Sequence, residues 1–136
     1  MSKGGKYTIH IGGEDRSGRF TMGFWELLQE DYGEPAGYLM SFVTELSFKE
    51  LISLFYCSLK YDALARGNSF PYNRYQVAEW IDELQDEEDG EESIQEVVTT
   101  FLECKQVGKL MQAAEKVLEE INKAKEELTE EEIKKK

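Results

Sequence analysis

The chain has 136 residues, 40% hydrophobic and 12% aromatic, with 16 Lys and Arg against 28 Asp and Glu for a formal net charge of −12. That is apolar material for one modest core, which excludes wholesale disorder, and a field of that sign repels nucleic acid and anionic membrane surfaces. No apolar stretch approaches the roughly 18 residues of a membrane span, no basic-then-apolar segment opens the chain, and two cysteines are too few for a disulfide scaffold, so a soluble cytoplasmic protein is expected.

Tyr7-Thr8-Ile9-His10-Ile11 alternates apolar and polar residues and is rich in β-formers, so it reads as a strand. Gly12 to Gly18 reads as a turn, and Arg19-Phe20-Thr21-Met22 as the returning strand of a small hairpin. Such a hairpin is marginal alone and must pack on helices. A short helix over Phe24–Tyr32 buries Phe24, Trp25, Leu27 and Leu28 and stops at Gly33. Pro35 suits the first turn of the next helix, Ala36–Glu45.

Ser47 followed three residues later by Glu50 has capping-box spacing and opens a helix over Phe48–Arg66, ended by Gly67. Leu51, Leu54, Phe55, Cys57, Ser58 and Leu59 make it apolar around much of its girth, the pattern of a central buried helix. After the loop 68–72, Asn73 with Gln76 announces a helix carrying Val77, Ala78, Trp80, Ile81 and Leu84. Residues 86–92 read as a solvated acidic loop, and a helix starting near Ser93 carries Ile94, Val97, Val98, Phe101 and Leu102. Gly108 either breaks that helix or lies within a run continuing to about Leu128, after which a Glu/Lys-rich end frays.

The charge is uneven. Residues 1–81 hold 8 basic and 10 acidic residues and 15 of the 16 aromatics; residues 82–136 hold 8 basic and 18 acidic residues and only Phe101. Large rings dominate core energetics, so the expected fold is mainly α: a small N-terminal β-hairpin packed on a compact helical bundle (1–102), with an acidic amphipathic helical extension (103–136).

No constellation for an enzyme emerges. His10 is the single histidine and has no cysteine near it in sequence, so spacing makes no metal site. Cys57 falls inside the buried helix, where a thiol acts as a small apolar residue, and Cys104 reads as structural. Aligning Gly90 with the invariant glycine of a calcium loop puts Gln85 at the first ligand position, which breaks the register. Gly12-Gly13 precedes a charged turn and lacks a Lys-Ser/Thr, so it is no phosphate loop. Neither cofactor nor metal is expected.

The strongest signal is in the extension. Val107, Leu110, Ala114, Val117, Ile121, Ala124 and Leu128 are spaced 3,4,3,4,3,4, three heptads of a and d positions. This thin seam either folds back on the core, projects as a charged helix, or docks on a partner helix or a copy of itself. Together with the exposed aromatics Tyr72 and Tyr75, and with Trp80 (more readily read as core), its residues are the candidate partner contacts.

The order of elements resembles the tail assembly chaperones of long-tailed bacteriophages and prophages. The likeness rests on Phe24-Trp25-Glu26-Leu27-Leu28 running to Gly33, on Ser47-Phe48-Lys49-Glu50-Leu51, and on Val77-Ala78-Glu79-Trp80-Ile81-Asp82 before an acidic helical end. It covers about residues 7–102, mostly caps and core positions. The resemblance implies a morphogenetic factor absent from the finished virion. It would coat the long helical tape-measure protein in the bacterial cytoplasm before the tail-tube protein polymerises around it, with self-association along the client. An acidic adaptor module, or a DNA mimic that blocks a nucleic-acid-binding protein, is the alternative.

Overall fold

The computed structural model describes residues 5–45 and 47–134; the side chains of Ala114 and of residues 129–134 lie outside the described set. The elements are β1 (Lys6–Ile11), β2 (Glu14–Arg19), α1 (Met22–Asp31), α2 (Pro35–Thr44), α3 (Phe48–Ala65), α4 (Arg74–Gln85), α5 (Gly90–Leu102) and α6 (Lys105–Lys134). The architecture is mainly α, with one antiparallel hairpin packed on helices.

The hairpin departs from expectation at its turn. Only Gly12 and Gly13 connect the strands, and β2 is Glu14–Arg19 rather than 19–22. Both glycines have positive φ, 63° and 81°, as a tight two-residue connection between right-twisted strands requires. Charged Glu14-Asp15-Arg16 has little strand propensity, but β2 lies on α3, and tertiary contact overrides that weak preference.

α3 is the central helix, touching β2, α1, α2 and α4. Its buried face is unusually polar for a core: Glu50, Ser53, Ser58 and Asp62 sit among Leu54, Phe55, Cys57 and Leu59. Each polar group ties a different neighbour to the helix. Asp62 accepts from Arg19 Nε of the hairpin at 2.8 Å and from Arg66 Nε at 2.8 Å. Ser53 donates to Asp31 at the end of α1 (2.7 Å), where Arg74 of α4 also arrives (3.3 Å). The Ser58 hydroxyl donates to the Leu54 carbonyl (2.7 Å), leaving Tyr7 of β1 as the donor in the 2.6 Å contact between Tyr7 and Ser58. Buried polar groups are tolerated only when partnered, and here the partnering fixes where the hairpin, α1 and α4 sit.

The helix starts agree with the sequence reading at some points and depart from it at others. α3 begins at Phe48 with Ser47 at its N-cap position, as the spacing predicts, but the Ser47 side chain makes no cap hydrogen bond. Its hydroxyl bonds the Glu50 carboxylate, which also accepts from Tyr32 at 2.7 Å, so the cap spacing is diverted into a side-chain network. α5 begins at Gly90, ahead of Ser93, shortening the acidic loop to 86–89. A Cβ at Gly90 would come within 1.7 Å of the Leu84 carbonyl oxygen, so this close approach of two backbones requires glycine. At α4, Asn73 and Gln76 form the full capping box.

The apolar centre is a ring cluster around Phe101. Its ring centroid lies 5.0 Å from Phe42, 5.3 Å from Phe20, 5.7 Å from Trp25 and 5.9 Å from both Phe24 and Tyr38. The single aromatic of the acidic half is therefore the hub on which the hairpin exit, α1 and α2 converge. Val97 is buried beside it, while Leu102 is exposed instead of joining the apolar face.

Helix continuity is interrupted at Glu103–Cys104, not at Gly108, and α6 then runs to Lys134 instead of fraying after Leu128. Residues 135–136 lie outside the described set. Cys104 and Val107 are buried in the core and Leu110 packs against it. No described helix is long and apolar enough to cross a membrane.

Candidate partner-binding surface

The residues considered for catalysis lie in different settings, one exposed and two buried. His10 is exposed on β1 and lies 2.9 Å from Asp15, its cross-strand neighbour. Burial pushes the Cys57 thiol far above its ordinary range, with Asp31 adding to the rise, which is the opposite of nucleophile activation. Cys104 is raised by burial as well. Among the described residues no group of three or more His, Cys, Asp or Glu is arranged to hold a metal.

Tyr72 and Trp80 are occupied with each other and with the hairpin. Their rings lie 4.7 Å apart, and the Arg16 guanidinium sits 4.9 Å from the first and 4.3 Å from the second. Arg16 also donates from Nε to the Ile11 carbonyl (3.0 Å) and from Nη2 to the Gly12 carbonyl (3.2 Å). This clamp fastens the hairpin tip to α4 and borders a cleft of about 460 Å³ in which Asp62 is already paired by Arg66. Tyr75, the second residue of α4, projects into solvent at 72% exposure, beside Arg74.

The seam divides into two parts. Val107 is 4% exposed and belongs to the core, so it is an anchor and not an open contact. Leu110 is half-buried. Beyond it, every described side chain from Met111 to Leu128 is exposed: Val117 at 53%, Ile121 at 45% and Leu128 at 61%, with Ala124 open beside them. Ala114 occupies its heptad position on the helix backbone, but its side chain lies outside the described set.

Two further apolar side chains, Met111 and Leu118, are exposed on the same stretch. A strict a/d count misses them because they fall at the adjoining e position, and a wider apolar stripe would have included them. Glu120 and Glu127 flank the seam at g, while Lys125 follows Leu118 at e.

At its foot the seam opens into a groove of about 290 Å³ between α1, α2 and α6, lined by Met22, Trp25, Glu26, Pro35, Gln106 and Leu110 among others. Met22 is exposed there, and the Trp25 indole Nε1 is closed off from solvent with no acceptor. Buried N–H groups are ordinarily satisfied, so Trp25 is the one unsatisfied buried side-chain donor or acceptor among the described residues. The arrangement suits binding of an apolar, helical stripe, starting at Leu110 and continuing outward.

Comparison with known proteins adds no relative: no family model matches the chain, and no curated protein or solved structure matches it significantly.

Proposed function

We propose that this protein is a non-catalytic, helix-binding assembly chaperone, specifically a tail assembly chaperone of a long-tailed bacteriophage or prophage whose client is the tape-measure protein. The observation that carries the helix-binding reading is the open seam: from Met111 to Leu128 the described face of α6 is exposed, apolar residues included. An amphipathic helix whose stripe nothing covers is built to cover another. The phage assignment rests on the resemblance of residues 7–102, and its setting is the bacterial cytoplasm, where the client awaits the tail-tube protein.

The magnitudes favour a weak, repeated contact. Met111, Val117, Leu118, Ile121 and Leu128 are each about half exposed, so covering all five recovers roughly 4–8 kcal/mol of the 1.5–3 kcal/mol that full burial of each is worth. Association itself costs about 4–15 kcal/mol. The seam alone therefore gives little net affinity, which suits transient coating of a long client by many copies, each adding the groove at Leu110 and flanking charges. The net charge of −12 keeps such a coated complex apart from its neighbours.

The test has two steps: a very long helical protein is sought among the genes beside this one, its absence counting against the phage assignment, and that tape-measure candidate is co-expressed with this chain. Co-purification, and a gain in that client's soluble fraction that Ile121→Asp abolishes, is expected. Absence of both refutes the chaperone reading.

A further inference from the structure

We infer that the helix received by the α6 seam carries Lys or Arg along its apolar stripe, and that it is not a second copy of this chain. The inference rests on the helix-binding reading above and specifies the partner's chemistry.

The seam's borders differ in charge. On one side Glu120 and Glu127 stand one heptad apart, both exposed. On the other, Met111 and Leu118 extend the apolar surface before Lys125. Flanking charges at such positions choose the partner and its direction.

A second copy fits in neither direction. Laid antiparallel, like borders face each other, so Glu120 and Glu127 meet the same acidic border of the other chain. Laid parallel, Glu120 would face Lys125 of the copy. The two helices would then start side by side, where each one's own body buries Val107 and half-covers Leu110 on that same face. At that start α6 already packs on α5, and residues of α1 and α2 line the groove beside Leu110, so a parallel copy would meet the body of the first.

A separate helix with cationic borders meets neither obstacle. It can follow the seam from the groove at Leu110 to Leu128, about 27 Å at 1.5 Å per residue, with its basic side chains against Glu120 and Glu127. The field of a −12 protein draws such a helix in and repels an acidic one.

The experiment uses the full chain and two synthetic amphipathic helices with identical Leu seams, one bordered by Lys and one by Glu, followed by fluorescence anisotropy. The Lys-bordered peptide should bind at least about tenfold tighter, a difference of 1.4 kcal/mol, and its advantage should shrink at high salt. The Glu120→Lys/Glu127→Lys variant should reverse the order. Equal affinity for the two peptides, or no reversal, overturns the charge inference and leaves helix binding standing. No binding of either peptide, with Ile121→Asp without effect, overturns both. A dimer mass by light scattering that Ile121→Asp returns to monomer assigns the seam to a second copy and also overturns it.

Discussion

Replacing Phe101 with Ala removes the ring at which five others meet. The side chain is fully buried, and burying an aromatic ring withdraws about 150–250 Å² from water, worth roughly 4–6 kcal/mol at 25 cal/mol/Å². Cavity-forming Phe→Ala changes cost about 3–5 kcal/mol directly, so the two routes agree on about 4 kcal/mol. Against the 5–15 kcal/mol that holds a typical domain together, such a variant retains little stability. Phe101→Leu keeps most of the volume, loses the ring–ring geometry, and should cost about 1–2 kcal/mol. Urea unfolding followed by far-ultraviolet circular dichroism reads both; at an m-value of about 2 kcal/mol/M the Ala variant shifts the midpoint by about 2 M. A loss below about 1.5 kcal/mol for Phe101→Ala would refute the reasoning, since it would mean that α5 is not part of the common core and that the hairpin, α1 and α2 stand without it.

Asn73→Ala removes the side-chain half of the capping box and should lower stability by about 1 kcal/mol, seen as a reduced melting temperature. Gly12→Ala forces an L side chain to φ +63° with its Cβ 2.7 Å from the Trp80 ring, so a loss of at least about 2 kcal/mol and a changed Trp fluorescence are expected. Asp62→Ala strands Arg19, whose side chain is only 20% exposed, and should cost about 3 kcal/mol by urea unfolding, whereas a near-neutral result would show that the pair does not fix the hairpin. Burial raises the Cys57 thiol above its ordinary 9.0 and the Tyr7 and Tyr38 hydroxyls above 10.0, so the unfolded chain gives up these protons first as pH rises. Their contribution is complete below about pH 9 and is lost above it, so the urea midpoint should hold steady from neutrality to pH 9 and then fall, less steeply in Cys57→Ala.

Where the sequence was legible, local chemistry and tertiary packing agreed. α4 carries its own cap and an apolar face, and α3 stops at Ala65, just before Gly67 turns the chain at φ +82°. Elsewhere packing decided. Glu14-Asp15-Arg16 becomes strand because α3 offers β2 a surface and Asp62 receives Arg19, a pairing 43 residues apart that no local pattern encodes. Ser47 and Glu50 have cap spacing, yet Tyr32 takes Glu50 into another network. In the candidate site, the heptad count located the α6 stripe but not which residues stay open. Burial of Val107 depends on where α6 meets the core, as does the groove under Trp25. Tyr72 looked free because Arg16, its occupant, lies far away in sequence.

The protein's two tryptophans stand at opposite duties, and that makes the chain its own reporter. Trp25 walls the groove at the foot of α6, with its indole N–H still without an acceptor, while Trp80 is pressed against a guanidinium at the hairpin tip. A helix seated at Leu110 should therefore move the emission of one indole and leave the other unchanged. With Trp80→Phe and Trp25→Phe as the paired controls, docking at the groove becomes visible without a label.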